Sequence, residues 1–485
     1  MNDKYILGGL KPYNVFRFFE EICKIPHPTY HTKQISDYLV NFAVERGLKY
    51  VQDAVNNVII YKSSSAGYEG AKPVILQGHV DMVAVKTNES THDFEKDGLD
   101  IYIEDGYIRA RGTTLGGDDG AAVALMLALL DDNTIKLPPI EAVFTVDEEV
   151  GMEGVASLDL SLLKGRLLIN LDSEEEGVFT VGCVGGYRLT VSIPVNRIKV
   201  EGTVLTIKIS GLLGGHSGVE IHKQRGNAHK IMGRLLGRIK DSGILIESVF
   251  GGDKENVISF ESTASIYVPD ENVDSITSNI KELENELKAE LRGVDDGIII
   301  RIANENRQCY VCDKDGTFRV ISYLQLCPNG VMVYDNSEIK APETSLNMGI
   351  VNTQNDKVTI VSMIRSMRES AKEELFEKLE TLCALCGATA TRKNDYPAWQ
   401  VKEESLLRDK CISVFESLYN KTPKVATMHG GLECGLFYGK NPQFDLISIG
   451  PNMLDVHSPN EKLDIESTAR TYEFLKVLLS ELGKE

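Results

Sequence analysis

Apolar and polar positions along the first third of the chain follow two different periods. Apolar residues recur at helical spacing over 15–22 and 35–44, and a third helical run covers 121–130. Between these helices lie short, nearly continuous apolar runs of strand length. The alternation predicts an α/β domain whose strands are buried on both faces. The strands are expected at 58–61, 74–77, 141–146 and 167–171.

The pattern changes near Gly185 and Gly186, where longer strands with alternating apolar and polar residues begin. Helical segments at 228–239 and 273–291 interrupt them. This pattern is typical of an α+β domain with a largely antiparallel sheet. The strands are expected at 203–210, 259–268, 330–334, 345–351 and 358–366.

The α/β pattern returns after about Pro397. It predicts a helix at 404–419, a buried strand at 446–449 and a final helix at 465–482. We therefore expect the middle segment to be inserted into the first domain. The expected ranges are 1–186 and 386–485 for the two parts of the α/β domain and 187–385 for the insertion.

Composition and charge exclude several classes of protein. Apolar residues make up 42% and charged residues 25% of the 485 positions, as in soluble globular proteins. The formal charge of −19 argues against binding to nucleic acid, which requires a basic surface. The longest apolar stretch is too short to span a membrane, and the first residues lack the order of a secretory signal. We expect a cytoplasmic protein that binds no membrane.

The nine cysteines are scattered and odd in number, unlike a secreted disulfide framework. Two pairs, Cys309 with Cys312 and Cys383 with Cys386, have the spacing of zinc ribbons and could together form a four-thiolate site. The alternative is packing in the core, because Cys383 and Cys386 lie one helical turn apart on an apolar face. We favour core packing.

The first candidate site follows a predicted buried strand, where Gly78 precedes His79 and Asp81. Ligands bind at the carboxyl ends of strands in open α/β sheets. A neutral imidazole there suits zinc, and a carboxylate two residues later can hold the second ring nitrogen. An incidental surface histidine is the alternative.

Two further acidic segments lie at the ends of predicted elements, one before a helix and one after a strand. Asp118 and Asp119 end a glycine-rich turn before a helix, where carboxylates favour cations over phosphate; the alternative is an N-capping aspartate. Glu148 and Glu149 follow a strand and point to opposite sides, so that one could bind a metal while the other acts on a water molecule. The alternative for the glutamates is a solvated acidic turn.

Two more candidates complete the set. Asp172 follows the next buried strand, while the three glutamates after it are expected to form a solvated loop. His457 follows a late strand and supplies a second imidazole. Together, the strand-terminal residues offer oxygen and imidazole ligands, which suit divalent metal ions. The set is His79, Asp118, Glu149, Asp172 and His457.

These fragments, in this order, resemble the co-catalytic zinc aminopeptidase and carboxypeptidase superfamily. Within it, the sequence is most similar to the bacterial aminoacyl-histidine dipeptidases, also called cytosol non-specific dipeptidases. The resemblance covers nearly the whole chain. The supporting stretches are Gly112–Gly120, His429–Phe437 and Ser448–Pro459.

The resemblance implies two bridged divalent ions per chain, expected to be zinc, with cobalt or manganese as alternatives. It implies that His79 and Asp172 bind one ion, that Glu149 and His457 bind the other, and that Asp118 binds both. Asp81 would orient His79, and Glu148 would act as general base on a water shared by metals about 3.5–4 Å apart. The family also implies a cis peptide bond between Asp118 and Asp119.

The resemblance further implies that the inserted domain is a lid and a homodimerisation surface. His216 would stabilise the oxyanion, although a glycine-rich turn is the alternative. Asn256 and Arg365 would contact the substrate, and Arg365 suits its terminal carboxylate; a surface ion pair is the alternative for Arg365. His429 and Glu433 are expected in the substrate pocket.

The activity implied is hydrolysis of small unblocked dipeptides, including those with C-terminal histidine such as β-alanyl-histidine. A tripeptide aminopeptidase or an amino-acid deacylase would use the same metals on a different substrate. A catalytically inactive scaffold is a third alternative. Loss of Glu148 or of a ligand would mark such a scaffold, and all of them are present.

Overall fold

The structure is a computed structural model that describes residues 5–336 and 341–484. Its contacts separate the chain into two units. Unit 1 contains residues 5–183, 399–428 and 432–484, and unit 2 contains residues 184–336, 341–398 and 429–431. Unit 2 is therefore inserted into unit 1. Residues 1–4, which contribute to the expectation of no secretory signal, lie outside the described residues.

The helices and strands are numbered in chain order. The helices are α1 (Tyr13–Cys23), α2 (Lys33–Glu45), α3 (Gly117–Asp131), α4 (Glu153–Ser157), α5 (Ala228–Ile239), α6 (Val273–Glu290), α7 (Lys314–Leu326), α8 (Glu369–Leu385), α9 (Leu406–Tyr419), α10 (Glu433–Lys440) and α11 (Ile465–Leu482). The strands are β1 (Lys49–Gln52), β2 (Val58–Lys62), β3 (Val74–His79), β4 (Ile101–Glu104), β5 (Tyr107–Ala110), β6 (Ile140–Thr145), β7 (Leu167–Asn170), β8 (Val178–Cys183), β9 (Gly185–Pro194), β10 (Arg197–Ser210), β11 (Leu245–Gly251), β12 (Ser262–Val268), β13 (Ile299–Cys312), β14 (Gly330–Tyr334), β15 (Pro342–Thr353), β16 (Lys357–Ser366), β17 (Thr389–Tyr396), β18 (Lys424–Met428), β19 (Asp445–Ser448), β20 (Met453–Leu454) and β21 (Lys462–Asp464).

Unit 1 is built around a mixed sheet of eight strands within the described part of the chain, in the order β1-β2-β6-β3-β7-β19-β8-β18. Its centre is parallel, because β3 pairs parallel with both β6 and β7, and β7 pairs parallel with β19. A smaller antiparallel sheet has the order β20-β21-β5-β4. The mixed sheet confirms the predicted α/β class.

Both faces of the mixed sheet are covered, as the apolar runs predicted. Val74 and Leu76 of β3 belong to the cluster that contains α3, whereas Ile75 packs in a separate cluster with Val143 and Leu168. Helix α3 is buried on all sides from Gly117 to Leu130, which fits the uninterrupted apolar run from Ala121 to Leu130. The sheet therefore holds its strand ends in fixed positions.

Unit 2 contains an antiparallel sheet, in the order β13-β10-β12-β11-β15-β16-β9-β17, with β14 added beside β15. Its strands follow the alternation expected for a sheet with one buried face; in β12, every second residue is fully buried. Helices α5, α6, α7 and α8 contribute to its hydrophobic core. The predicted α+β insertion with a largely antiparallel sheet is thus present.

Boundaries between the two units lie at residues 183/184 and 398/399, whereas the sequence pattern predicts them at 186/187 and 385/386. The second difference has a clear cause. Strand β17 follows the predicted boundary and pairs with β9, so pairing across the sheet assigns it to unit 2. Its sequence, Thr389–Tyr396, has several charged residues and gives only a weak strand signal.

The cysteine pairs contribute to packing. All nine cysteines are unpaired and buried. Cys312, Cys383 and Cys386 belong to the main core of unit 2, whereas Cys309 packs in a separate small cluster. The four-thiolate alternative is therefore wrong, because Cys309 and Cys312 are three residues apart on a strand and point to opposite faces.

Over residues 5–336 and 341–484, every helix is too short or too polar to cross a lipid bilayer.

Candidate metal centre

The strand-terminal candidates of unit 1 meet because their strands are parallel neighbours. In the register of the sheet, His79 of β3 lies beside Thr145 of β6, and Gln77 of β3 lies beside Asn170 of β7. The segments that follow these strands therefore leave the same edge of the sheet. They carry Asp81, Asp147 to Glu149, and Asp172.

Asp118 reaches this edge through the glycine-rich turn before α3. Gly116 has a φ of 65°, a conformation that favours glycine, and the Asp118–Asp119 peptide bond is cis, which confirms the prediction. Neither aspartate has helical backbone angles. The N-cap of the helix is Gly116, and the Asp118 side chain points to two histidines, so the N-capping alternative is wrong.

Gly78 provides the space that Asp119 occupies. A Cβ atom at Gly78 would lie 2.6 Å from Asp119 Oδ2 and 2.7 Å from Ala122 Cβ. The same Asp119 oxygen accepts a hydrogen bond from the His79 backbone N–H at 3.3 Å. The glycine before His79 is thus required by the close approach of β3 and α3.

Asp118 lies between the two histidines. Asp118 Oδ1 is 3.0 Å from His79 Nε2, and Asp118 Oδ2 is 3.1 Å from His457 Nε2. Asp172 Oδ1 lies 3.7 Å from His79 Nε2, and Glu149 Oε1 lies 3.0 Å from His457 Nε2. The ligand atoms form two groups that share Asp118, and within each group they lie within 4.8 Å of one another.

Burial distinguishes His79 and Asp118 from incidental surface groups, whereas the His457 side chain is 49% exposed. His79 is 1% exposed and Asp118 is 8% exposed, so the interpretation of His79 as a surface histidine is wrong. Glu148 and Glu149 are half-buried, whereas Glu174 and Glu175 are exposed, as expected for a solvated loop; Glu176, the third glutamate of that loop, is instead half-buried and paired with Arg470. A third group of possible ligands, His79, Glu148 and Glu149, places Glu148 beside the others.

Asp81 contacts more than His79. Its backbone oxygen lies 3.0 Å from His79 Nδ1, and its Oδ1 lies 3.6 Å from the same nitrogen. Asp81 Oδ1 also accepts the Glu148 N–H at 3.0 Å, and Thr29 Oγ1 donates to Asp81 Oδ2 at 2.9 Å. Asp81 therefore fixes both the imidazole of His79 and the backbone of Glu148.

Sequence reasoning did not find Thr29, Asp147 or Glu461. Asp147 Oδ1 accepts the Tyr30 N–H at 2.7 Å, which ties the segment after β6 to the segment that holds Thr29. Glu461 accepts hydrogen bonds from the turn that carries Asp118. Thr29 and Glu461 follow no predicted strand and belong to no spaced motif, whereas Asp147 directly follows the predicted strand 141–146 and precedes Glu148, which could have indicated it.

The electrostatics of the cluster show an excess of carboxylates. Burial and the nearby Asp119 carboxylate raise the pKa of Asp172, and burial together with neighbouring carboxylates raises the pKa of Glu148. Hydrogen bonds with Asp118 and Glu149 raise the pKa of His457 to about 11. The carboxylates are thus in an environment that a nearby cation would stabilise.

The donor set fits divalent metal ions. It consists of carboxylate oxygens and imidazole nitrogens, which suit zinc, cobalt and manganese. Asp119 Oδ1 is buried and accepts no hydrogen bond from the described residues. Asp81 supplies the outer carboxylate that histidine ligands of metals usually have.

Glu433 is fully buried in unit 1, at the first position of α10. Its Oε2 accepts hydrogen bonds from Thr145 Oγ1 at 2.8 Å and from Gln77 Nε2, and Gln77 in turn accepts one from Asn170. Burial raises the pKa of Glu433 to about 7. These contacts link β6, β3 and β7 through side chains, and the predicted contact of Glu433 with substrate stays a prediction.

The other candidates lie together in unit 2. His216 forms an isolated bridge with Val257, and its Nε2 lies 3.4 Å from Asn256 Nδ2. A Cβ atom at Gly218 would lie 2.9 Å from the His216 ring and 3.0 Å from the His429 carbonyl oxygen. The glycine therefore allows His216 and His429 to approach each other.

Arg365 lies on β16 and is 6% exposed. Its Nη1 donates to Tyr396 Oη at 3.1 Å, and its Nε is buried without a hydrogen bond to the described residues. Opposite it on β15 is Ser345, whose Oγ lies 2.8 Å from His429 Nε2. The surface ion-pair alternative for Arg365 is therefore wrong, because the guanidinium is buried and has no carboxylate among these contacts.

The fold and the site define the chain as a metallopeptidase: it belongs to the peptidase family M20/M25/M40, which it matches over residues 75–481. It is 38% identical over 482 residues to the cytosol non-specific dipeptidase of Escherichia coli strain K12, covering 98% of this chain and 99% of that protein. The structure matches the aminoacylhistidine dipeptidase of Vibrio alginolyticus with a TM-score of 0.88 and 34% identity, covering 99% and 98% of the two chains.

A more distant solved structure has the same fold. The aminopeptidase PepT of Bacillus cereus matches with a TM-score of 0.57 and 17% identity, covering 98% of this chain and 99% of that one. The predicted family and fold class are confirmed.

Proposed function

We propose that the protein is a metal-dependent dipeptidase that hydrolyses unblocked dipeptides, including those with C-terminal histidine, with two divalent ions that we expect to be zinc, with cobalt or manganese as alternatives. The observation that carries the proposal is the pair of ligand groups that share Asp118, beside a half-buried Glu148. The similarity to relatives named cytosol non-specific dipeptidase and aminoacylhistidine dipeptidase supports the substrate class.

His79 and Asp172 would hold one ion, Glu149 and His457 the other, and Asp118 both. When bound, two such ions lower the pKa of a shared water and polarise the scissile carbonyl. Asp118 suits the shared position because each of its oxygens already faces a different imidazole. Asp81 contacts the Nδ1 side of the His79 ring, which leaves Nε2 facing Asp118, where it would bind an ion.

Glu148 would be the general base. It takes a proton from the water and delivers it to the nitrogen of the leaving amino acid, so that the same carboxyl group serves both steps. Its backbone N–H is bound to Asp81, and Asp81 in turn contacts His79. The base and a metal ligand are therefore positioned by one residue, through its carboxylate for Glu148 and its backbone oxygen for His79.

The residues of unit 2 would bind the substrate. We propose that Arg365 binds the terminal carboxylate of the dipeptide, since its Nε has no hydrogen bond to the described residues and its Nη1 is oriented by Tyr396. His216 would stabilise the oxyanion, with Asn256 beside it. His429 and Glu433 are proposed as substrate-pocket residues.

The assembly and location are proposed on the family resemblance. We propose that unit 2 is a lid and that the protein forms a homodimer through it. The mass in solution, measured by light scattering after gel filtration, tests the dimer. We propose a cytoplasmic location because the Escherichia coli relative is named a cytosol dipeptidase.

Hydrolysis of a substrate panel by metal-stripped protein, with and without added zinc, cobalt or manganese, tests the activity. The panel contains β-alanyl-histidine, glycyl-histidine, leucyl-glycine, a tripeptide and an N-acetyl amino acid. We expect metal-dependent cleavage of the unblocked dipeptides. Cleavage confined to the tripeptide or the acetylated substrate would refute the dipeptidase assignment.

A pair of variants separates an enzyme from a metal-binding scaffold. Glu148→Gln should keep the metals and lose about 10²–10⁴-fold in kcat, because the general base is gone. Glu175→Gln, an exposed glutamate of a nearby strand-terminal loop, should leave kcat unchanged. Absence of cleavage by the metal-loaded wild type would favour the scaffold.

A further inference from the structure

Glu461 binds the backbone of the turn that carries Asp118. Its Oε2 accepts the N–H groups of Leu115 at 2.7 Å and Gly116 at 3.1 Å. Its Oε1 accepts the N–H groups of Gly117 at 2.7 Å and Asp118 at 3.2 Å. Glu461 is 3% exposed, so these four bonds are shielded from water.

Four successive N–H groups that point at one carboxylate form a concave anion site, here filled by a side chain of the same unit. The turn has little room to move around it. A Cβ atom at Gly117 would lie 3.2 Å from Glu461 Oε1, and one at Gly116 would lie 3.0 Å from Met82 Sδ. Gly117 therefore allows the carboxylate to approach the backbone closely, and Gly116 leaves room for the Met82 side chain.

The same glutamate belongs to the segment that supplies His457. Its N–H donates to the carbonyl oxygen of Ser458 at 3.1 Å, and Ser458 Oγ donates to the carbonyl oxygen of Asp455 at 2.6 Å. His457 has a φ of 60° inside this turn. Glu461 thus connects the turn around His457 to the turn around Asp118.

We propose that Glu461 is a positioning residue for the metal centre, which holds Asp118 and His457 at the separation that two ions require. The role rests on the proposed function, because it concerns the ligands named there. Asp118 occurs in both ligand groups, so its displacement affects both ions at once. Outer residues that orient ligands commonly change metal affinity by about 10–100-fold when replaced.

The test compares two isosteric substitutions of buried glutamates in unit 1. Glu461→Gln replaces one acceptor oxygen by an NH₂ group, which faces two backbone donors and cannot accept from them. Glu141→Gln is the matched control. Glu141 is also 3% exposed and accepts the N–H groups of Lys164 and Gly165 at 2.9–3.0 Å, but it contacts no candidate ligand among the described contacts.

The measurements are zinc affinity by competition with a chromophoric chelator, the visible absorption of the cobalt-loaded protein, and thermal unfolding of the metal-free protein. Both variants should unfold at a lower temperature than wild type. Zinc affinity should fall about 10–100-fold in Glu461→Gln with a changed cobalt spectrum. In Glu141→Gln, it should stay within about twofold of wild type, because the substitution is remote from the ligands.

The role is refuted if Glu461→Gln binds zinc as tightly as wild type with an unchanged cobalt spectrum. If Glu461→Gln does not fold, Gly117→Ala provides the test, because its Cβ displaces the carboxylate without removing it. Reduced zinc affinity in this variant is expected, and unchanged affinity refutes the role. If wild-type protein binds no zinc, the metal centre and the role of Glu461 fail together.

Discussion

The imidazole of His457 in the proposed metal centre of unit 1 and two imidazoles of unit 2 have opposite surroundings. In unit 1, hydrogen bonds with Asp118 and Glu149 raise the pKa of His457 to about 11. In unit 2, burial lowers the pKa of His229 to about 4, and burial together with the nearby Arg365 lowers that of His429 to about 4. Unit 1 therefore favours cations, whereas unit 2 keeps neutral rings and one buried guanidinium that suits an anion.

The two units also differ in which hydrogen-bonding groups fix their candidate residues in place. The candidates of unit 1 follow parallel strands and are fixed by backbone N–H groups, as Asp81 and Glu461 show. The candidates of unit 2 are fixed by side chains, such as Tyr396 for Arg365 and Ser345 for His429. Variants at Asp118, His229, Arg365 and Gly78 test this difference between the two units.

Replacing Asp118 should eliminate the cation-binding character of unit 1. Asp118→Asn removes a carboxylate from both ligand groups, so we expect loss of bound metal and a fall in kcat beyond the roughly 10²–10⁴-fold expected for loss of a general base. Metal content by mass spectrometry and dipeptide hydrolysis measure the two effects. Asp105→Asn, an exposed turn residue with a φ of 50° that asparagine tolerates, should retain both. Full metal content in Asp118→Asn would contradict the prediction.

Acidification should destabilise unit 2 through His229. The folded pKa of about 4 lies below the ordinary value of 6.5, so the unfolded chain binds more protons between these values. The stability contributed by the neutral ring is complete above pH 6.5 and is lost as the pH falls to about 4. This loss amounts to about 3 kcal/mol in the free energy of unfolding.

Denaturant unfolding of metal-free wild type and His229→Gln between pH 7 and pH 4 measures this contribution. The variant should show a flatter pH dependence, whereas His222→Gln, at an exposed position of the same unit, should follow the wild type. Identical slopes for wild type and His229→Gln would show that His229 is not neutral in the folded protein.

Replacing the guanidinium should weaken substrate binding without affecting the metals. Arg365→Lys keeps the charge but loses the fork that binds a carboxylate with two hydrogen bonds, so KM for dipeptides should rise about 10–100-fold. Zinc affinity should not change. The exposed Arg301→Lys in the same unit serves as control. A fall in zinc affinity, or an unchanged KM, would contradict the separation of the two roles.

Filling the space beside His79 should perturb the packing of unit 1. Gly78→Ala places a Cβ atom 2.6 Å from Asp119 Oδ2, which should cost about 1–3 kcal/mol in the free energy of unfolding and weaken zinc binding. Gly70→Ala has open space at its Cβ and should change stability by less than about 0.5 kcal/mol. Equal stabilities for the two variants would show that the close approach is not needed.

The parts of unit 1 that were predicted from the sequence are those with local signals. Buried strands such as β3 and β7 begin as continuous apolar runs, and the ligands lie at or just after their carboxyl ends, as His79 and Asp172 do. The cis peptide bond at Asp118 was expected from the family resemblance. The contacts of Glu461 could not be predicted from local sequence pattern, because its hydrogen-bond partners, Leu115 to Asp118, are more than 340 residues away in the sequence.

Unit 2 was predicted less completely. The long strand β13 and the helix α7 were not identified; β13 has many charged and polar residues and is mostly exposed. The environment of Arg365 could not be derived either, because Tyr396 lies on β17, a strand with a weak signal. The positions of these residues depend on the pairing of strands that are distant in the sequence. A short segment of sequence does not contain the information that specifies this pairing.

The most direct test of the central claim is anomalous diffraction at the zinc edge from crystals of the zinc-loaded protein. We expect two peaks per chain on either side of the Asp118 carboxylate, one contacted by His79 and Asp172 and the other by Glu149 and His457. A single peak, or peaks that do not share Asp118, would contradict it.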